Sequence, residues 1–136
     1  MIKINELINK GDSKKALEII NKALTNSNEK LKLYYLKAKA EFSLNYFNDC
    51  IETTNKIIKY NNKDFRIYNL RALSHFNIGN LKDSIEDFKK TIQINPQFDQ
   101  PYNFIGITMF NIGRVKESIE YFIKCLNFNK NNFAAR

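Results

Sequence analysis

Hydrophobic residues recur at helical spacing in short segments of this chain, and the segments themselves recur every 34 residues. The clearest pair lies at 65–98, where both halves place an apolar residue every three or four positions. The apolar positions are Tyr68, Leu70, Ala72, Leu73 and Phe76, then Leu81, Ile85, Phe88, Ile92 and Ile94. A break at Gly79 separates the halves, and Asn95-Pro96 ends the second. This pattern predicts two amphipathic helices of about 12–14 residues joined by a tight turn.

Columns of equivalent residues keep the 34-residue register without insertion or deletion. A turn column holds Gly11, Asn45, Gly79 and Gly113, a small column holds Ala16, Cys50, Ser84 and Ser118, and an aromatic column holds Tyr34, Tyr68 and Tyr102. A fixed period of this length is the signature of a repeat array, in which each unit stacks on its neighbours. We therefore divide the single domain 1–136 into a partial unit at about 1–30, units at 31–64, 65–98 and 99–132, and the start of a fifth at 133–136.

The units resemble the tetratricopeptide repeat family, whose pattern is W-x2-L-G-x2-Y, then A-x3-F, then P, with a period of 34. The matching residues of the third unit are Tyr68, Arg71-Ala72, His75, Ser84, Phe88 and Pro96. Those of the fourth are Tyr102, Ile105-Gly106, Met109, Ser118 and Phe122. The second unit offers Tyr34, Lys37-Ala38 and Cys50 but has Thr54 in place of the aromatic residue, and the first offers Ala16, Ile20 and Ala23. The resemblance implies an all-α fold, a right-handed α-solenoid of about four helix–turn–helix repeats.

The resemblance also implies a non-catalytic scaffold that binds a protein or peptide segment, apolar or amphipathic, in a concave groove lined by the first helix of each unit. The candidate groove residues are Tyr35, Lys39, Phe42, Arg66, Asn69, Leu73, Phe76, Asn77, Asn103, Ile107, Phe110 and Asn111. Phe42, Phe76 and Phe110 are expected to form an aromatic column beside Leu36, Leu70 and Phe104. The alternative for Leu70 and Phe104 is packing between neighbouring first helices.

Some family members grip a terminal carboxylate with Lys, Asn and Arg side chains. Among the matching positions this chain offers Asn5 and, loosely, Arg66, whereas Leu36 and Leu70 stand where polar residues would be. The sequence therefore does not predict this carboxylate clamp.

The net charge is +8, which is compatible with an anionic partner such as nucleic acid. Segments 1–30, 31–64, 65–98 and 99–136 hold 6, 6, 5 and 5 basic residues against 4, 4, 3 and 3 acidic ones. An excess spread this evenly is typical of solvated helix faces, so nucleic-acid binding is the weaker alternative. The first alternative to groove binding is concentration-dependent self-assembly through uncapped repeat ends.

Catalytic chemistry has little support in the sequence. The single histidine, His75, is expected to pack between helices, the neighbouring acids Glu86 and Asp87 to be solvated, and Ser84 and Ser118 to pack at helix crossings. No phosphate-binding glycine motif is present. We predict no enzyme activity and no catalytic, cofactor or metal site.

The two cysteines, Cys50 and Cys125, lie two units apart and are expected to be reduced and to pack as small apolar residues. No apolar run is long enough for a signal peptide or a membrane-spanning helix. These features lead us to expect a cytoplasmic protein without membrane insertion.

Overall fold

The computed structural model describes residues 2–24 and 30–134, which form eight α-helices. The helices are α1 (Ile2–Asn9), α2 (Ser13–Leu24), α3 (Lys30–Ser43), α4 (Phe47–Tyr60), α5 (Phe65–Asn77), α6 (Leu81–Ile94), α7 (Gln100–Asn111) and α8 (Val115–Ala134). They pair as hairpins α1–α2, α3–α4, α5–α6 and α7–α8, and each hairpin packs against the next. The predicted all-α solenoid of four helical hairpins is confirmed.

The turn within each hairpin has a left-handed residue in the predicted column. Gly11, Gly79 and Gly113 have φ angles of 84°, 85° and 86°, and Asn45 has 64°. Glycine adopts this conformation without steric cost, and asparagine is the non-glycine residue that tolerates it best. The turn column therefore ends every first helix at the same position of the repeat.

The small side chains at the start of the second helices are buried, as expected for residues that pack against a neighbouring helix. Ala16, Cys50, Ser84 and Ser118 are all buried at the start of the second helices. In the first helix of the fourth unit, a Cβ added to Gly106 would lie 2.8 Å from the Phe122 ring. The Phe122 side chain therefore covers the space that a larger residue would need.

The core runs between successive hairpins. One cluster joins the first and second units through Ile4, Ile8, Ala16, Ile20, Leu33, Leu36 and Ala40. Another joins the third and fourth units through Ala72, Phe88, Ile105 and Met109. Tyr68 and Tyr102 add equivalent tethers, because each hydroxyl donates to a carbonyl six residues earlier, at 3.1 Å in both units.

Two features differ from the sequence prediction. Asp87 is buried, and Arg71 on the facing helix α5 forms a bidentate ion pair with it, with both contacts at 2.7 Å. The prediction that Glu86 and Asp87 are both solvated is therefore wrong for Asp87, whereas Glu86 is exposed as predicted. Helix α8 continues to Ala134 and so includes the first two residues of the segment predicted to start a fifth unit at 133–136. The last two residues of that segment lie outside the described residues.

Candidate peptide-binding groove

A groove opens along the first helices α1, α3 and α5. It contains two adjoining cavities of about 540 Å³ and about 230 Å³. Tyr35, Lys39 and Arg66 line both cavities and mark the place where they meet. The structure thus brings together three of the predicted groove residues, which come from two different helices.

The Tyr35 ring contacts two cationic side chains. The guanidinium carbon of Arg66 lies 4.6 Å from the ring centroid, and the Lys39 ammonium lies 5.6 Å from it. Both distances fall within the range of a cation–π interaction. Lys39 also donates to Asn5 Oδ1 on α1 at 3.2 Å. These contacts link the first helices of three units through one aromatic ring and two positive charges.

Asp64, at the N-terminus of α5, orients Arg66. Its carboxylate accepts hydrogen bonds from Arg66 Nε at 3.1 Å and Nη2 at 2.7 Å, and Oδ1 also accepts the Arg66 backbone N–H at 3.0 Å. The side-chain hydrogen bond lowers the pKa of the Asp64 carboxyl and raises the pKa of the Arg66 guanidinium. The fork geometry holds the guanidinium over Tyr35 before any ligand arrives.

The larger cavity carries an excess of positive charge. Its cationic lining residues are Lys32, Lys39 and Arg66, and its single carboxylate, Asp64, is already bonded to Arg66. The apolar lining residues are Leu31, Leu36, Ile57 and Ile67. A cleft of this composition attracts a negatively charged group and offers apolar contacts beside it.

The smaller cavity is lined mainly by apolar side chains. Its apolar lining residues are Phe65, Leu70, Leu73 and Phe98, and the two phenylalanine rings meet edge to face with centroids 5.3 Å apart. Asn69, a predicted groove residue, is buried in this wall and donates from Nδ2 to Gln100 Oε1 at 2.7 Å. Among the described residues its Oδ1 atom has no hydrogen-bond partner.

The three phenylalanines of the predicted aromatic column differ in how far their side chains are exposed. Phe42 is half-buried with its ring edge-on to Phe47, at a centroid distance of 5.4 Å. Phe76 is half-buried against Phe104 at 5.2 Å, whereas Phe110 is 59% exposed. The Phe104 ring also stacks on the Phe88 ring, with centroids 5.3 Å apart. Phe104 therefore packs between helices, which is the alternative to groove exposure that the sequence analysis gives for it.

The remaining predicted groove residues lie outside the linings of these two cavities. Asn103 and Asn111 are exposed on the fourth unit, and Ile107 is half-buried between them. Asn77 is exposed and donates to the Leu73 carbonyl of its own helix at 2.7 Å. Their role in a longer groove stays a prediction.

The structure adds lining residues that the sequence prediction does not include, chiefly Asp64 and Asn61. Asp64 precedes α5 and caps it through the Arg66 N–H, so the helix-start pattern was the signal that could have identified it. Asn5 and Arg66, the two positions matching a carboxylate clamp, line the same cavity. Leu36 is buried beneath it, which leaves the clamp incomplete.

Outside the groove, a cluster of polar side chains surrounds Arg71. Arg71 bonds to Asp87 and donates to Asn55 Oδ1 at 2.8 Å, while His75 Nε2 lies 4.0 Å from Asp87 Oδ2. These contacts join α4, α5 and α6. No group of three or more metal-ligating side chains occurs in the part of the chain that the structure describes.

The two cysteines, Cys50 and Cys125, are free. Burial raises the pKa of the Cys50 thiol to about 11, so the thiolate is disfavoured at neutral pH. Within residues 2–24 and 30–134, no helix combines the length and the apolar character needed to cross a membrane.

Comparisons with known proteins agree with this fold. A family model described as tetratricopeptide repeat matches residues 65–98 and 100–132, the third and fourth units. No curated protein sequence matches the chain.

Solved structures of MamA share the fold of more than nine-tenths of this chain. A crystal structure of MamA has a TM-score of 0.89 at 24% identity, covering 96% of this chain and 77% of that one. MamA 41-end from Desulfovibrio magneticus RS-1 has a TM-score of 0.86 at 19% identity, covering 92% and 71%. MamA MSR-1 has 0.82 at 13% identity, covering 93% and 72%. The family model thus identifies the third and fourth units as tetratricopeptide repeats, and the first two units share their 34-residue register and turn geometry.

Proposed function

We propose that this chain binds an amphipathic protein segment in the groove along α1, α3 and α5. Tetratricopeptide repeats typically serve as non-catalytic protein-interaction scaffolds. The observation that carries the specific proposal is the junction of two cavities at Tyr35, Lys39 and Arg66. One side of this junction is cationic and the other is apolar.

The two cavities favour different parts of the same ligand. The larger cavity accepts an acidic side chain or a terminal carboxylate, because Lys32, Lys39 and Arg66 face it with only one carboxylate among them. The smaller cavity accepts apolar side chains against Leu70 and Leu73. A segment with an acidic residue followed by apolar residues satisfies both.

The groove is prepared for binding before the ligand arrives. Asp64 fixes Arg66, and Asn5 holds Lys39, so two flexible cationic side chains lose little further conformational freedom on binding. Tyr35 supplies a rigid aromatic surface at the centre, the position where interface residues contribute most affinity. The predicted residues Asn103, Ile107, Phe110 and Asn111 would extend the same path along α7.

The test begins with a random-peptide phage library panned on the immobilised protein. The selected peptides should contain an acidic residue next to apolar ones, and their affinity is measured by fluorescence polarisation. Arg66→Ala and Lys39→Ala should each weaken binding about tenfold, because each removes one charge contact to the ligand. Tyr35→Ala should weaken it at least as much.

Arg114→Ala is the matched control, since Arg114 is an exposed cation outside both cavities, with one long 3.9 Å contact to Glu117. It should leave peptide affinity unchanged. Failure to select any peptide would refute the proposed function. Equal binding by the wild type and an Arg66→Ala/Lys39→Ala double variant would refute this site for it.

A further inference from the structure

Helix α8 exposes a row of aliphatic side chains that the peptide groove does not use. Val115, Ile119, Ile123 and Leu126 are 48%, 51%, 51% and 65% exposed. Their spacing of four, four and three residues places them on one side of the helix, and we call this set the α8 stripe. A contiguous exposed apolar surface of this kind marks an interaction site.

Part of the α8 stripe lies at repeat positions that the following unit covers in the third unit. Ile85 and Ile92 of α6 occupy the same repeat positions as Ile119 and Leu126, and both are half-buried in the cluster that α7 completes. In the fourth unit the same face carries no covering helix among the described residues. Repeat geometry thus accounts for Ile119 and Leu126, but it does not account for the whole stripe.

Ile123 is the residue that repeat packing does not explain. The equivalent residues are Asn55 on α4 and Lys89 on α6, and both are exposed although a further unit follows them. A neighbouring repeat therefore needs no apolar residue at this position. Ile123 extends the stripe toward a surface that a partner, and not a continuing repeat, would bury.

We propose that the α8 stripe binds a second copy of this chain, with the two α8 helices antiparallel about a two-fold axis. The axis passes between Ile119 and Ile123. The stripe reads almost the same in both directions, so Val115 meets Leu126 of the second copy and Ile119 meets Ile123 of the second copy. Self-complementarity of this kind is what a closed isologous dimer requires.

The described side chains of α1 do not offer a matching surface. Among the side chains of α1 that the structure describes, at positions 3–9, the exposed ones are polar: Lys3, Asn5, Glu6 and Asn9. Head-to-tail stacking would place this polar surface against the α8 stripe and leave apolar side chains without partners. This contrast between α1 and α8 favours a two-fold contact through α8 over head-to-tail stacking.

The charge of this face does not oppose contact between two copies. The chain carries a net charge of +8, which makes two copies repel each other. Between Val115 and Phe128, however, α8 has two basic and two acidic residues, and α7 has no charged residue. This stretch of α8 carries no net charge, and added salt should strengthen dimerisation by screening the repulsion between the two positively charged molecules.

The size of the stripe predicts a weak, reversible dimer. From Val115 to Leu126 the helix rises about 17 Å, which gives an interface at the small end of the range for specific contacts. We expect the mass measured by sedimentation equilibrium to double between about 5 and 500 µM, with the midpoint at lower concentration in high salt. A monomer throughout this range, at both salt concentrations, would overturn the proposal.

Ile123→Asp is the decisive variant, because it should abolish dimerisation while altering only an exposed position. Tyr60→Asp is the matched control, since Tyr60 is 77% exposed on α4, away from α8. The control should dimerise like the wild type. Dimerisation that survives Ile123→Asp, in a variant whose circular dichroism shows normal helix content, would also overturn the proposal.

Cysteine cross-linking tests the antiparallel register. In a Cys125→Ser background, a chain with Ile119→Cys is mixed with a chain with Ile123→Cys and oxidised. The mixed disulfide should exceed the Ile123→Cys self-disulfide, because only the mixed pair brings Cα atoms within bonding range. Equal yields, or cross-linked ladders, would contradict the two-fold arrangement.

This dimer does not depend on the proposed groove. Tyr35, Lys39 and Arg66 lie on α3 and α5, away from the α8 stripe. A monomeric Ile123→Asp variant should therefore bind the selected peptides with wild-type affinity.

Discussion

The third and fourth units share one sequence pattern but differ in what covers them. Phe88 on α6 is fully buried and stacks on Phe104 of the next unit, with ring centroids 5.3 Å apart. Phe122, at the same repeat position on α8, is only half-buried. The comparison shows that burial in a solenoid depends on the neighbouring unit as well as on the residue itself.

The two units also differ inside their hairpins. Arg71 and Asp87 form an ion pair between α5 and α6, and the equivalent residues of the fourth unit are Ile105 and Tyr121. Ile105 is fully buried and Tyr121 packs against the same core cluster. One backbone geometry therefore accepts either a charged or an apolar contact at this position.

The largest effect is expected from removing the covered aromatic ring. Phe88→Ala should lower the free energy of unfolding by about 3–5 kcal/mol, because it deletes a fully buried side chain and leaves a cavity. Phe122→Ala removes the same atoms from the half-buried position and should cost less than half as much. Urea denaturation of both variants measures the difference. Equal losses would mean that coverage by the next unit contributes nothing.

A somewhat smaller effect is expected from breaking the ion pair of the third unit. Arg71→Ala should cost about 3 kcal/mol, because it leaves the Asp87 carboxylate buried without its partner. The double variant Arg71→Ile/Asp87→Tyr introduces the pair of the fourth unit and should recover most of that loss. Chemical denaturation of wild type, single and double variants completes the comparison. A double variant as unstable as Arg71→Ala would show that the two hairpins are not interchangeable.

Residue columns in the sequence predicted the backbone of this protein well. The turn column corresponds to four left-handed turn residues, and the small column to four buried crossings. Both depend on interactions within one hairpin or between adjacent helices, and the 34-residue period repeats those interactions. The hairpin order and the positions of the turns were therefore available from the pattern alone.

Side-chain pairing across hairpins was harder to predict. Glu86 and Asp87 look alike as neighbouring acids, and only the position of Arg71 on the facing helix makes Asp87 buried. Phe76 has the same repeat position as Phe110, yet Phe104 covers the first and no described residue covers the second in this way. A periodic pattern identifies equivalent positions but does not identify their partners.

The candidate groove likewise contains residues that the sequence predicted and residues that it did not. Its members Tyr35, Lys39 and Arg66 followed from the family resemblance, whereas Asp64 depends on a local hydrogen bond that fixes one side chain. The exposed stripe on α8 was suggested only as an uncapped end. The extent of the α8 stripe depends on Ile123, which is exposed at a repeat position where the second and third units have the polar residues Asn55 and Lys89.

The smallest expected effect extends the comparison of hairpins to the second unit, where the buried residue Glu41 has His75 and Met109 as its equivalents. Glu41 Oε1 accepts a hydrogen bond from Thr53 Oγ1 at 2.6 Å. Burial raises the pKa of the Glu41 carboxyl above its ordinary value of 4.5. Because the folded state binds this proton more tightly than the unfolded state, stability from Glu41 is complete below pH 4.5 and decreases as pH rises through the folded pKa.

Glu41→Gln should therefore raise the melting temperature at pH 7 and have little effect at pH 4. The neutral amide oxygen still accepts the Thr53 hydroxyl, but it carries no charge to desolvate. Thermal unfolding followed by circular dichroism at the two pH values measures this difference, and Glu86→Gln, a change at an exposed acid, should show no such pH dependence. If Glu41→Gln instead lowers the melting temperature at pH 7, the charged carboxylate stabilises the second hairpin as an ionic contact, as Asp87 does in the third. The second and third hairpins would then both be stabilised by a charged carboxylate, and the apolar fourth hairpin would be the exception.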